Sequence, residues 1–239
     1  MSASFQGFSK DALKFLRDLE KHNNRDWFEE HKPVYVSKVK EPMETLTAAV
    51  GAAMTAYAPE FVTEPKKAIY RIYRDTRFSK DKTPYKTHVG ASFWRNDLGK
   101  HTSAGFYFEV SHQHVGVAGG VYMPDPENLR LLRVHIMENH QRWTRLVSDK
   151  KLLAGAGEIR GERLSRPPKG FPCEHPAMES IRLKQMYFWQ ELPAALALTP
   201  GVLKELTARF RLMAPVLRFM NEPLEAMKKK RAPLETGWI

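Results

Sequence analysis

Apolar residues recur every three or four positions at both ends of the chain and every second position in its middle. Ser9 suits the cap of a first helix, whose buried face is Ala12, Phe15, Leu16 and Leu19, ending near Asn23-Asn24. Asn24 is placed to cap a short helix from Arg25 to His31, with Trp27 and Phe28 turned inward. Val36, Val39, Met43, Leu46, Val50, Ala53 and Tyr57 then form another helical stripe. Pro42 lies within it and is expected to kink or divide it, because proline removes a backbone donor and crowds the preceding turn.

From Ala68 the period becomes two. Ala68, Tyr70 and Ile72 alternate with Ile69, Arg71 and Tyr73, which predicts a strand over 68–73. Further strands are expected over 88–95, 104–111 and 114–123, joined by turn-rich links that favour an antiparallel meander. Asp125-Pro126 reads as a cap with proline in the first turn, followed by Leu129, Leu132 and Ile136; another helix is expected over 140–147. The segment 155–176, rich in glycine, proline and charge, predicts a structured excursion anchored by Ile159, Leu164 and Phe171. Tyr187-Phe188-Trp189 reads as a returning strand. Thr199-Pro200 opens a last helix carrying Val202, Leu206, Phe210, Met213 and Leu217, with a bend expected at Pro215. The pattern predicts an α+β fold: an antiparallel sheet of about four or five strands, with helices from both chain ends packed mainly on one face. One domain is expected over 1–227, followed by a basic C-terminal tail over 228–239 containing Trp238.

Composition narrows the setting. With 239 residues and 42% hydrophobic content the chain can bury a sizeable core. A lone cysteine, Cys173, excludes an intrachain disulfide and a cysteine-rich zinc site. Lys10, Asp11, Lys14 and Arg17 interrupt any secretory apolar stretch, and no apolar run is long enough to span a bilayer, so a cytoplasmic protein without membrane partners is expected. The net charge is +11, and it is unevenly spread. Between Lys66 and His88 eight cations (Lys66, Lys67, Arg71, Arg74, Arg77, Lys80, Lys82, Lys86) face two acids, Asp75 and Asp81. That surplus points to an anionic partner.

The run from Tyr70 to His88 is similar to the hallmark of a bacterial and fungal family catalogued as domain of unknown function 2461. Supporting blocks are Asn23-Asn24-Arg25-Asp26-Trp27-Phe28, Gly105-Phe106-Tyr107-Phe108-Glu109-Val110, and Arg166-Pro167-Pro168-Lys169-Gly170-Phe171 with His175-Pro176. The resemblance implies a single α+β domain and carries no activity, substrate, cofactor or catalytic residue.

In the run itself, Arg74 and Arg77 have the fork geometry to grip a phosphate or carboxylate, with Ser79, Lys80, Lys82, Tyr85, Lys86 and His88 completing a ligand set. Asp75, Asp81 and Tyr85 are the candidate acid–base groups. The competing reading pairs the two acids with these arginines to stiffen a connection between strands. Three functions are open: a protein, or an enzyme, for an anionic small molecule; a nucleic-acid-binding module using the same cations and nearby rings; and a scaffold in which the segment is structural. Gly105 to Val110 resembles the aromatic strand of an RNA-recognition module, but Ala104 stands where a basic residue should precede the glycine. His88, His101, His112 and His114 with Glu109 form a loose nitrogen-rich set without metal-binding spacing, and no metal site is expected. Cys173 beside His175 lacks an oxyanion element. No phosphate-binding or dinucleotide glycine loop occurs, and no cofactor is expected.

Overall fold

The computed structural model describes residues 5–100 and 102–231, with side chains as far as Lys229. Helix α1 (Lys10–Lys21) starts at Ser9, whose hydroxyl accepts from the Ala12 N–H at 3.3 Å, and it buries Ala12, Phe15, Leu16 and Leu19. Asn24 caps α2 (Arg25–Val34) by accepting from the Trp27 N–H at 3.0 Å. The chain then stays helical through a wide π turn (Tyr35–Lys40) into α3 (Glu41–Met54), where Pro42 holds the second position. The interruption expected at Pro42 takes the form of that wide turn, which accommodates a residue lacking its N–H.

Four antiparallel strands form one sheet in sequential order: β1 (His88–Trp94), β2 (Gly105–Ser111), β3 (His114–Val121) and β4 (Met186–Pro193). The strand expected over 68–73 is absent. Pro65–Ala68 makes one helical turn, α4, and the chain beyond it makes only isolated bridges, Ile69 with Ala91 and Tyr73 with Tyr85. Arg74 N–H donates to the Pro84 carbonyl at 2.8 Å, but Pro84 has no N–H to return. The Tyr85 N–H is claimed by the Asn23 side chain instead. A ladder cannot grow from these partners.

The register decides which side chains share a face. Phe93, Phe106, Gly119 and Phe188 stand opposite one another across the sheet, and the three phenylalanines are buried. Against this face lies α9 (Gly201–Arg231), burying Val202, Leu206, Phe210, Met213 and Leu217, with the Phe106 and Phe210 rings 4.8 Å apart. Gly119 permits the close approach, since a Cβ there would stand 2.7 Å from Met213 Sδ. Around α9 are α5 (Pro126–Glu138), capped by Asp125, then α6 (His140–Val147), α7 (Lys150–Ala156) and the short α8 (Met178–Ile181). The segment 155–176 runs along the far edge, bridging Arg160 to Tyr187 and Arg163 to Leu183.

Two asparagines bolt helices to the sheet region in the same way. Asn23 accepts from the Tyr85 N–H at 3.0 Å and donates to its carbonyl at 2.9 Å. Buried Asn221, on α9, accepts from the Ala104 N–H at 2.8 Å and donates to its carbonyl at 3.1 Å. Each carboxamide satisfies both polar groups of a residue outside the ladder. Helix α9 continues to Arg231, past Lys228, so the tail expected from that point begins inside a helix, and Lys228 Nζ lies 3.4 Å from Asp97 Oδ2. Trp238 and the rest of the expected tail lie outside the described residues. Among the described residues, no helix is long and apolar enough to cross a membrane.

Candidate functional site

The cation-rich loop satisfies much of its own charge. Arg74 Nη1 donates to Asp81 Oδ2 and to Thr83. Arg77 forks onto Asp75, Nε to Oδ1 at 3.0 Å and Nη2 to Oδ2 at 2.8 Å. Lys82 Nζ donates to the Thr76 carbonyl at 2.8 Å. Asp75 is held down at about 2, chiefly by the Arg77 side chain, and Asp81 at about 2, chiefly by the Thr83 N–H and then Arg74. The base of the loop is anchored by Tyr85, whose ring stacks on buried Phe28 at 4.1 Å while Asn23 holds its backbone. The run 70–88 and the run 23–28 are thus two halves of one joint. Ser79 and Lys80 stand near the loop tip, where Phe78 is 94% exposed.

On the sheet's second face lies a concave trough of about 780 Å³. Its floor is the row Ser92, Tyr107, Ala118, Trp189, which the register sets side by side on neighbouring strands. Tyr70, Trp94, Tyr122 and Tyr187 form aromatic walls, and Lys100 enters from the turn after β1. Two glycines keep the floor open. A Cβ on Gly90 would stand 2.5 Å from the Tyr107 hydroxyl, and one on Gly116 would stand 2.5 Å from the Trp189 ring and 2.8 Å from Glu109 Cγ.

A carboxylate sits at one end of this floor. Glu109, with a side chain only 12% exposed, accepts from the Tyr107 hydroxyl at 2.6 Å through Oε2. Its Oε1 lies 2.9 Å from His114 Nε2, and its Oε2 lies 3.6 Å from His88 Nε2. Burial, and then the Glu109 charge, push the Tyr107 phenol far above its usual range, which keeps it a donor. His88 is lowered, first by burial, with Lys86 and His114 adding to the effect against the pull of Glu109. Ser111 stands 3.4 Å from His114 Nδ1, but its oxygen accepts from the N–H groups of Gln113 and His114 and so shapes the β2–β3 hairpin.

At the Tyr70 wall, two lysines share one ring. Lys100 Nζ is 4.1 Å and Lys86 Nζ 5.1 Å from the Tyr70 ring centre, and Lys100 is also 4.4 Å from that of Trp94. Both are lowered, Lys86 by burial and then Arg71 against the pull of Glu109, Lys100 by burial and then Lys86. No ion pair with a carboxylate is made by either among the described residues.

Of the residues singled out from sequence, His88 lines the trough and Lys86 stands over the ring of its Tyr70 wall, whereas Arg74, Arg77, Asp75, Asp81 and Lys82 serve the loop. The histidine set comes together only in part: His88 and His114 both approach Glu109, whereas His112 Nε2 lies 2.8 Å from Glu20, and His101 lies outside the described residues. Among the described residues no group of three or more potential ligands is arranged to hold a metal. Cys173 is exposed, and His175 Nδ1 accepts from the Ala177 N–H. Phe106 and Phe108 are buried, and Tyr107 lies in the trough's floor row. Sequence reasoning missed Lys100 and the partnership of Tyr107 with Trp189. The available signal was Tyr107-Phe108-Glu109, where ring and carboxylate flank a core residue at strand spacing.

A family model described as a conserved hypothetical protein (DUF2461) matches residues 11–219, a span containing both the loop and the trough. A search of curated proteins finds no match.

Proposed function

The chain belongs to the DUF2461 family, and we propose that it binds a small molecule in which a planar ring carries a carboxylate or phosphate. The ring lies on the aromatic floor and walls, and the anion meets Lys86 and Lys100. The observation carrying this reading is the pair of partly buried lysines, neither of which is in ion-pair contact with a carboxylate among the described residues. Burying an uncompensated charge is unfavourable, and an incoming anion offsets that cost while accepting charge-assisted hydrogen bonds. Size and shape agree, since small-molecule sites are concave, largely apolar and about 300–1,000 Å³. The concavity favours this reading over a nucleic acid laid across a flat basic face.

Titration calorimetry with phenylpyruvate and with phenyl phosphate tests the proposal. Binding of at least one probe is expected, weakened tenfold or more in the double variant Lys86→Met, Lys100→Met, because each lost charged hydrogen bond contributes about 1.5–3 kcal/mol. Methionine retains the apolar stem over Tyr70. Equal affinity in the variant, or no binding of either probe, would refute the reading.

A further inference from the structure

We propose that His88 is the general base of this trough, with Glu109 as its positioning residue, and that the ligand is a carbon acid: an aromatic 2-oxo acid whose methylene proton His88 removes and returns. This rests on the pocket reading above and adds a reaction to it. The geometry has three parts. His88 lines the trough, with Nε2 3.6 Å from Glu109 Oε2, leaving Nδ1 to exchange a proton with a bound molecule. Glu109 is itself held by the Tyr107 hydroxyl and His114 on the same face, so its carboxylate is fixed in direction. His88 is two residues from Lys86 on the chain, which brings the base close to the charge that receives the anion.

The lining restricts what a base can do here. The hydroxyls of Ser92 and Ser103 are committed, Ser92 donating to Tyr70 Oη at 3.2 Å and Ser103 to the Gly99 carbonyl at 2.7 Å. Cys173 is not among the lining residues. A histidine–carboxylate pair is suited to general-base proton transfer, and the planar acid proposed for the trough offers it a carbon-bound proton. Burial favours the neutral imidazole, the form that accepts a proton.

The step balances without a co-reactant. Nδ1 takes the proton from the carbon between ring and carbonyl, and the C–H electron pair becomes the C=C bond of an enolate as negative charge moves to the carbonyl oxygen. Return of a proton from the imidazolium to carbon restores the ketone. In deuterium oxide the returned particle is a deuteron, so the methylene signal decays.

Proton NMR of phenylpyruvate in deuterium oxide reads this decay above the buffer rate, with affinity measured in parallel by calorimetry. The expected result is enzyme-dependent exchange that falls about a hundredfold in His88→Ala. Probe affinity should be nearly unchanged, and added imidazole should restore part of the rate. Glu109→Gln should lower kcat with little change in KM, which a purely structural role would not produce. Binding without exchange above the buffer rate, or full exchange in His88→Ala, overturns this inference and leaves the pocket reading standing. Binding of phenyl phosphate but not phenylpyruvate also overturns it alone. No binding of either probe overturns both.

Discussion

The loop over 74–83 and the trough beside it both hold cations, but they use them oppositely. In the loop, Arg74 and Arg77 are matched to Asp81 and Asp75, and Lys82 caps a carbonyl. At the trough, Lys100 on its lining and Lys86 against the Tyr70 ring have rings for neighbours and, among the described residues, no carboxylate in ion-pair contact, Glu109 acting on Lys86 only from a longer distance. The shifts carry opposite signs for stability. Asp75 and Asp81 titrate lower folded than unfolded, so their pairing favours the fold. The lysines are lowered by burial, which opposes it. A count of charges along the sequence cannot separate these cases, because what matters is which charges remain without a partner once the chain has folded.

The largest expected effect comes from cutting the loop's anchor. Phe28→Ala removes a buried ring that touches Phe15, Tyr35, Tyr73 and Tyr85. Denaturant unfolding should show a loss of about 3–5 kcal/mol. A loss below about 1 kcal/mol would mean that the joint between 23–28 and 70–88 is not a structural element, and the comparison would lose its first half.

Filling the trough should cost less. A Cβ at Gly116 meets both Trp189 and Glu109, so Gly116→Ala is expected to destabilise by about 1–3 kcal/mol through overpacking and to displace Glu109 from His114. Thermal unfolding measures the first, and the imidazole NMR shifts of His114 measure the second. Unchanged shifts would show that the glycine is not what gives the cluster room.

Smallest of all should be the effect of titrating the loop acids. Each has a folded value of about 2 against an ordinary 3.8, so the favourable contribution is full above 3.8 and fades as pH falls through about 2. Carboxyl carbon NMR should place both midpoints near 2, with little unfolding attached, since exposed pairs contribute weakly. Midpoints near 3.8 would show that the pairs do not persist in solution.

Elements governed by local rules were legible in the sequence. Ser9, Asn24 and Asp125 cap the helices they were expected to cap, and the strands expected over 88–95, 104–111 and 114–123 form as 88–94, 105–111 and 114–121. The 68–73 run has the same alternation yet pairs only at two points. Its fate depended on Pro84 and on Asn23, sixty-two positions from Tyr85, which alternation does not register. The trough was illegible for a related reason. Ser92, Tyr107, Ala118 and Trp189 come together only through three strand registers, and Lys100 reaches them from a turn that looked like mere punctuation. Glu109 did attract notice as part of a loose metal set, and His88 both there and in the expected anion-binding set, because their residue types were suited to chemistry. Their actual relation is a carboxylate held by Tyr107 and His114 with the His88 imidazole 3.6 Å away, its pKa lowered chiefly by burial.

The most direct test sets the two kinds of cation against each other. Affinity for the better-bound of phenylpyruvate and phenyl phosphate would be measured by calorimetry in two double variants, Lys86→Met with Lys100→Met and Arg74→Ala with Arg77→Ala, alongside their melting temperatures. The lysine variant is expected to lose tenfold or more in affinity while melting at or above the parent temperature, since it sheds two charges whose burial opposes folding. The arginine variant should bind as the parent does. Affinity lost in the arginine variant and retained in the lysine variant would contradict the account.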